Sequence, residues 1–236
     1  MNAYTTLLTS ENYLEAVKTL AYSIKAVKSK YPFIVMCIDT LPQEVFDTLK
    51  QENIQFQVFP NKEFTGISRH STRNYGCTFN KFWAYKLRNV NHFMFIDADS
   101  CMLENIDYLF ELPYPVFFFL DAVHNPYTAG DNHPRGLLQN ADDISGCVWM
   151  DFCSEEKYEF CETYQSVYGE DEQVLMEIAE KYYCIRIDYR RWNWTKDMVL
   201  FHDSCYAQQN KFWYRPDYKG PEQFFNLLHY WKKNRY

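Results

Sequence analysis

The chain has 236 residues and a formal net charge of −7, with 24 Lys and Arg against 31 Asp and Glu. This length suits one α/β domain, and a hydrophobic fraction of 47% excludes intrinsic disorder. The acidic balance argues against a nucleic acid or an anionic membrane surface as the main partner.

The cysteine pattern and the apolar runs bear on the compartment. Eight cysteines contain no C-x-x-C pair, which favours free, mostly buried thiols in a reducing environment. No apolar run approaches the roughly 20 residues that span a bilayer, and the first residues show no signal-peptide pattern. We therefore expect a soluble cytoplasmic protein without a membrane span.

Strands and helices alternate in the first quarter of the chain. Strands are predicted at 4–9, 32–39 and 55–59, and helices at 13–27 and 42–50. Ser10 is a candidate N-cap for the first helix. This alternation predicts a parallel, doubly wound sheet, in which ligands bind beyond the carboxyl ends of the strands.

The stretch from His92 to Asp99 organises the predicted site. It follows a helix predicted at 79–90 that contains Lys81, and it reads as a buried strand that ends in Asp97 and Asp99. Two carboxylates at positions i and i+2 converge on one side, and oxygen ligands suit Mg²⁺ or Mn²⁺. The pattern predicts a divalent metal site, with an aspartate pair that only caps the next turn as the alternative.

The remaining elements continue the α/β pattern. Strands are predicted at 116–121, 147–150, 185–189 and 198–201, and helices at 155–168, 171–181 and 221–235. Residues 124–143 are rich in loop-forming residues and are expected to be a substrate-facing flap or a surface insertion. Without a linker or an internal repeat, residues 1–236 are predicted to form a single domain.

Four features occur in order between about residues 3 and 202. They are the opening Ala3–Leu14, Lys81 sixteen residues before Asp97, Phe95–Asp99 followed by Leu103–Phe110, and Ser145–Val148. In this order they resemble glycosyltransferase family 8, which includes glycogenin and galactinol synthase. The resemblance implies a GT-A-like (Rossmann-like) fold, with a mostly parallel sheet flanked by helices. It also implies retaining transfer of a hexose from a nucleotide sugar, with UDP-glucose and UDP-galactose as first candidates.

The resemblance also implies roles for individual residues. The metal ligands would be Asp97, Asp99 and His202, and a mixed carboxylate and imidazole set suits Mn²⁺ better than Mg²⁺. Residues expected to bind the donor are Leu8, Thr9, Ser10, Tyr13, Arg73, Lys81, Asp97, Ala98, Asp99, Ser145, Gly146 and Lys211. Asp171, Glu172 and Lys81 would be catalytic. The acceptor would be a hydroxyl of a saccharide or a protein, and the oligomeric state, a homodimer included, stays open.

Three positions depart from the family pattern. Ile144 replaces an Asn, Asp171-Glu172 replaces an Asp-Gln pair, and the loop after His202 is altered. A catalytically degenerate protein that binds a sugar or a partner is therefore an alternative. A haloacid-dehalogenase-like phosphohydrolase, which also carries Asp-x-Asp after a buried strand, is another.

Overall fold

The computed structural model describes residues 1–62, 78–120, 143–164, 171–188, 199–202 and 211–234. Within these ranges the strands are β1 (Asn2–Leu8), β2 (Phe33–Ile38), β3 (Gln55–Phe59), β4 (His92–Ile96), β5 (Ser100–Met102), β6 (Val116–Leu120), β7 (Asp143–Phe152), β8 (Ile185–Asp188) and β9 (Leu200–His202). The helices are α1 (Leu14–Ala26), α2 (Gln43–Gln51), α3 (Glu155–Thr163), α4 (Asp171–Lys181) and α5 (Pro221–Asn234). Turns of 3-10 helix cover Glu11–Tyr13, Thr78–Lys86, Asp107–Glu111 and Phe212–Tyr214.

Seven strands form the main sheet in the order β3-β2-β1-β4-β7-β6-β8. The pairs β1–β2, β1–β4, β2–β3 and β6–β8 are parallel, which confirms the predicted mostly parallel α/β sheet. The exception is β7, which runs antiparallel to both of its neighbours, β4 and β6. A separate antiparallel ribbon joins β5 to β9.

The core occupies both faces of the sheet. Along β4, Phe93 and Phe95 face one apolar cluster, whereas Met94 and Ile96 face another, as alternating side chains on a buried strand require. All four side chains are fully or almost fully buried. The strand that precedes the aspartate pair is therefore fixed by packing on both sides.

One predicted helix has a different geometry from the one expected. Residues 78–86 form a 3-10 helix rather than an α-helix over 79–90. Its buried aromatic residues Phe79, Phe82 and Tyr85 recur every three residues, which is the period of a 3-10 helix and places them along one row. The segment ends at Lys86, and Asn89 beyond it adopts a positive φ of 63°, which a continuing helix does not allow.

Other boundaries differ by smaller amounts. The helix predicted at 155–168 ends at Thr163, because Tyr164 takes an extended backbone. The strand predicted at 147–150 is the middle of the longer β7, and the late strand is shifted to Leu200–His202. The six described cysteines are free, and four of them are buried. Among the described helices, none combines the length and the apolar character that crossing a membrane requires.

Candidate active site

Three predicted metal ligands meet beyond the carboxyl end of β4. Asp97 and Asp99 follow β4 directly, and the β5–β9 ribbon places His202 opposite Ser100. His202 Nε2 lies 3.4 Å from Asp99 Oδ1 and 3.8 Å from Asp97 Oδ2. One ligand atom from each of the three residues lies within 4.8 Å of the other two. The fold thus brings together residues that are about a hundred positions apart.

The chemistry of this group fits a divalent cation. Two carboxylates and one imidazole are ligands that Mn²⁺ accepts, and 31% of the Asp97 side chain is exposed, so the group can be reached from solvent. Asp99 and His202 are more deeply buried, with 11% and 17% of their side chains exposed. The group can therefore take a cation on its open side while its deeper ligands stay in place.

Burial and neighbouring charges shift the pKa values of all three side chains. Burial acts to raise the pKa of Asp99, but His202 and Lys211 outweigh it and lower this pKa to about 2. Burial raises the pKa of Asp97, with Lys81 opposing the rise and Asp99 adding to it. Burial disfavours a charged imidazole, yet Cys147 and Asp99 raise the pKa of His202 well above its ordinary value. Positive charge is thus favoured at the point where the three side chains meet.

Lys81 lies beside this group and is held by a second set of contacts. Its ammonium lies 2.5 Å from Asp171 Oδ2, 3.0 Å from the Gly146 carbonyl oxygen and 3.7 Å from Asp97 Oδ1. Burial acts to lower the pKa of Lys81, but the nearby carboxylates, Asp171 foremost, raise it, so the group is charged. The rings of Phe95 and Trp149 lie under the ammonium, with centroids at 5.3 and 5.8 Å.

Gly146 lets the first turn of α4 approach β7. A Cβ atom at position 146 would lie 2.6 Å from Asp171 Oδ2 and 3.0 Å from Glu172 Oε1, which is closer than Cβ atoms approach such oxygens. Both predicted catalytic carboxyl groups therefore reach the same point on β7. The absence of a side chain at position 146 leaves room for this close approach.

Lys211 reaches the metal group from the C-terminal part of the chain. Its side chain is buried, and its ammonium donates a hydrogen bond to Asp99 Oδ2. It directly precedes the 3-10 turn 212–214, in which Phe212 stacks on Phe224 with ring centroids 4.1 Å apart. Lys211, a predicted donor-binding residue, thus contacts a predicted metal ligand, although its spacing from His202 departs from the family pattern.

The residues expected to bind the nucleotide follow β1 at the same edge of the sheet. Leu8 is buried at the end of β1, and Ser10 accepts a hydrogen bond from the Asn12 amide. Ser10 thus caps the 3-10 turn Glu11–Tyr13 rather than α1, whose N-cap position is Tyr13. Tyr13 packs against Trp213, with ring centroids 5.2 Å apart. Thr9 lies between Leu8 and Ser10, Ala98 is buried between the two aspartates, and Ser145 is buried in β7. Arg73 and the segment 124–142 lie outside the described residues.

Cys147 is a site residue that the sequence analysis missed. Its sulfur lies 2.7 Å from Ser145 Oγ, its carbonyl oxygen accepts a hydrogen bond from the Asp97 amide, and its thiol hydrogen-bonds with His202. The sequence analysis included Cys147 only within the Ser145–Val148 motif and among eight mostly buried thiols, without a role of its own. The available signal was its position two residues after Ser145 on a strand, which places both side chains on one face.

Comparisons with protein families and with curated proteins both find glycosyltransferases. The family model described as glycosyl transferase family 8 matches residues 4–151. Galactinol synthase 1 of Arabidopsis thaliana is 28% identical over 113 residues, covering 47% of this chain and 33% of that protein. Galactinol synthase 1 of Ajuga reptans is 26% identical over 117 residues, covering 49% and 35%. The matches therefore span about a third of the length of these curated relatives.

Solved structures share the fold at low sequence identity. The galactosyltransferase LgtC, crystallised with donor and acceptor sugar analogues, superposes with a TM-score of 0.65 at 14% identity, covering 98% of this chain and 96% of that one. The glycosyltransferase GlyE of Streptococcus pneumoniae superposes with a TM-score of 0.55 at 14% identity, covering 98% and 61%. At these identities the likeness establishes the GT-A-like fold.

Proposed function

The chain belongs to glycosyl transferase family 8, and from this membership we propose that it is a retaining, metal-dependent hexosyltransferase that uses a UDP-sugar. The observation that carries the proposal is one edge of the sheet where two groups adjoin. These are the Asp97, Asp99 and His202 group and the Lys81–Asp171 pair, linked by the 3.7 Å contact from Lys81 to Asp97. A phosphohydrolase of the haloacid dehalogenase type is set aside, because the family is a different one.

Asp97, Asp99 and His202 would hold Mn²⁺, or Mg²⁺ as the alternative. A divalent ion bound there supplies Lewis-acid stabilisation of the negative charge on a leaving diphosphate. Asp99, with its pKa of about 2, stays ionised at neutral pH and keeps its ligand oxygens available. Cys147 and Asp99 raise the pKa of His202, and this preference for positive charge supports a cation site there.

Lys81 would act on the leaving group as a fixed positive charge. Its contacts with Asp171 and the Gly146 carbonyl oxygen hold the ammonium before any substrate arrives. A preorganised charge stabilises a developing phosphate charge without reorganisation during the reaction. Because the pKa of Lys81 is raised, it acts electrostatically and is unsuited to donating a proton near neutral pH.

Asp171 and Glu172 would face the reacting sugar carbon. Both carboxyl groups converge on Gly146 beside Lys81. One of them could stabilise an oxocarbenium-like state, bind sugar hydroxyls or attack as a nucleophile. This arrangement of the two carboxyl groups allows either double displacement or front-face attack. Leu8, Thr9, Ser10 and Tyr13 would bind the uridine, with Ala98, Ser145, Gly146, Arg73 and Lys211 as further donor contacts.

Names of relatives suggest an order for testing donors. The similar curated proteins are galactinol synthases, and a structural neighbour is a galactosyltransferase. We therefore place UDP-galactose first and UDP-glucose second, with the hydroxyl of a saccharide or a protein as acceptor. A cytoplasmic location stays a prediction, and the oligomeric state stays open.

Calorimetric titration of UDP with and without Mn²⁺ tests the proposal. We expect Mn²⁺-dependent UDP binding in the wild type and a loss of at least tenfold in affinity for Asp99→Asn, since that substitution removes a charged ligand. Asp47→Asn, which removes an exposed carboxylate on α2, is the charge-matched control and should bind as the wild type does.

The outcomes separate the catalytic proposal from its alternative. Hydrolysis of UDP-galactose or UDP-glucose that requires Mn²⁺ and is lost in Asp99→Asn supports the transferase. UDP binding without turnover of either donor, under any metal condition, would favour the degenerate sugar-binding protein. Absence of UDP binding with and without Mn²⁺ would overturn the UDP-sugar proposal.

A further inference from the structure

The two oxygens of Asp99 contact two different partners. Oδ1 lies 3.4 Å from His202 Nε2, inside the metal group, whereas Oδ2 accepts the hydrogen bond from the Lys211 ammonium. The Asp99 side chain is 11% exposed and that of Lys211 is 7% exposed, so water screens the pair poorly. A single carboxylate therefore separates Lys211 from the position a metal ion would take.

From this arrangement we propose that Lys211 is an internal cation that competes with the divalent metal ion for Asp99. The inference rests on the proposed function, in which Asp97, Asp99 and His202 hold the metal. An ammonium and a divalent cation on one carboxylate repel each other, and this repulsion is large at short range away from bulk water. Each partner also reduces the negative charge that Asp99 offers to the other.

Lys81, the other lysine of the site, is arranged differently. Its short contact is with Asp171, which lies outside the metal group, and the nearest Asp97 oxygen is 3.7 Å away. Lys81 thus has a carboxylate of its own, whereas the hydrogen bond of Lys211 goes to a metal ligand itself. The competition is therefore assigned to Lys211.

The backbone at Lys211 is anchored, so its side chain would make the exchange. Phe212 stacks on Phe224, and Trp213 packs on Tyr13. A lysine carries its charge on a flexible four-carbon chain with rotatable donors. When a nucleoside diphosphate is bound, its phosphate oxygens offer this ammonium another anionic partner. Nucleotide and metal should therefore bind synergistically, because the nucleotide relieves the competition.

Mn²⁺ binding measured without nucleotide tests the proposal directly. Free Mn²⁺ is followed by electron paramagnetic resonance as the intact protein is titrated, for the wild type, Lys211→Met, Lys211→Arg and Lys219→Met. Lys219 is an exposed lysine eight residues away that donates to the Pro216 carbonyl oxygen, and it is the matched control. Circular dichroism confirms that each variant is folded.

We expect Lys211→Met to bind Mn²⁺ about tenfold more tightly than the wild type, since the repelling charge is gone. Lys211→Arg, which keeps the charge, and Lys219→Met should match the wild type. Adding UDP should tighten Mn²⁺ binding in both proteins, because the diphosphate would itself interact with the metal ion. The factor should be at least tenfold in the wild type and smaller in Lys211→Met, where no competition is left to relieve.

The contrary results are equally distinct. Unchanged or weaker Mn²⁺ binding by Lys211→Met would mean that Lys211 orients Asp99 in support of the metal, and the competition would be refuted. Absence of Mn²⁺ binding in the wild type and in Lys211→Met would refute it as well. Tighter Mn²⁺ binding by Lys211→Met without any effect of UDP would uphold the competition and contradict the proposed function instead.

Discussion

Gly146→Ala changes the candidate site by a single methyl group. The new Cβ would lie 2.6 Å from Asp171 Oδ2, whereas ordinary contact begins near 3.4 Å. A displacement of about 0.8 Å must therefore be absorbed near the site. The Asp171 carboxylate yields most readily, because it is the end of a side chain while position 146 lies within a central strand.

Moving that carboxylate also moves Lys81, which Asp171 holds at 2.5 Å. Misplacement of a catalytic group by about 1 Å costs on the order of a hundredfold in rate. Overpacking of this size lowers the free energy of unfolding by roughly 1–3 kcal/mol. We expect Gly146→Ala to fold, to keep Mn²⁺ binding within about threefold of the wild type, and to lose roughly a hundredfold in kcat for donor hydrolysis.

The assay combines steady-state hydrolysis of the UDP-sugar, urea unfolding and Mn²⁺ titration. A double-mutant cycle with Asp171→Ala provides the control, because removing this carboxylate removes the shortest contact, at 2.6 Å, and leaves only the milder contact with Glu172 at 3.0 Å. In that background the added methyl group should change the unfolding free energy by less than about 1 kcal/mol. Wild-type kcat in Gly146→Ala would refute the argument, as would an equal loss of stability in both backgrounds.

Two further predictions concern groups outside the metal ligands. Asp107 accepts hydrogen bonds from the Tyr4 hydroxyl and the Ser29 hydroxyl, each at 2.8 Å, and its pKa is lowered: burial acts to raise it, but these and other donors outweigh burial. Asp107→Asn should therefore lower the free energy of unfolding at pH 7 by about 1–3 kcal/mol. This deficit should shrink below the ordinary aspartate pKa of about 3.9, because a lowered pKa stabilises the folded state only above the pKa of the unfolded state. A deficit that urea unfolding finds to be independent of pH would contradict this prediction. Cys147→Val should weaken Mn²⁺ binding by about tenfold, since His202 loses an orienting partner, with stability changed by less than about 1.5 kcal/mol; unchanged Mn²⁺ affinity would show that Cys147 does not orient His202.

Local patterns predicted much of the fold. Gln55–Phe59 and Asp171–Lys181 were predicted with the bounds that the structure has, because a short β-rich run before Pro60 and an acidic first turn carry strong local signals. The antiparallel direction of β7 was missed, because direction depends on how a connection returns to the sheet, and no local pattern encodes that. The three-residue spacing of the aromatic residues in 78–86 indicates a 3-10 helix, but the segment was predicted as an α-helix.

The residues of the candidate site could likewise be predicted in part, whereas the contacts between them could not. Asp97 and Asp99 could be predicted from their place after a buried strand, and His202 and Lys81 only from the family resemblance. The partnership of Lys81 with Asp171 spans 90 residues and that of Lys211 with Asp99 spans 112. Such contacts arise from tertiary packing, so the sequence alone did not predict which lysine holds which carboxylate.

The antiparallel insertion of β7 has a consequence for synthesis of the chain on the ribosome. Until residues 143–152 have been made, β4 has β1 on one side and an unpaired edge on the other. That edge belongs to a strand whose five residues are all buried in the finished protein, and exposed apolar edges invite pairing with other chains. A nascent chain that pauses before β7 therefore presents an apolar strand edge that is open to aggregation, and the same addition of β7 that covers this edge brings Gly146 to Lys81.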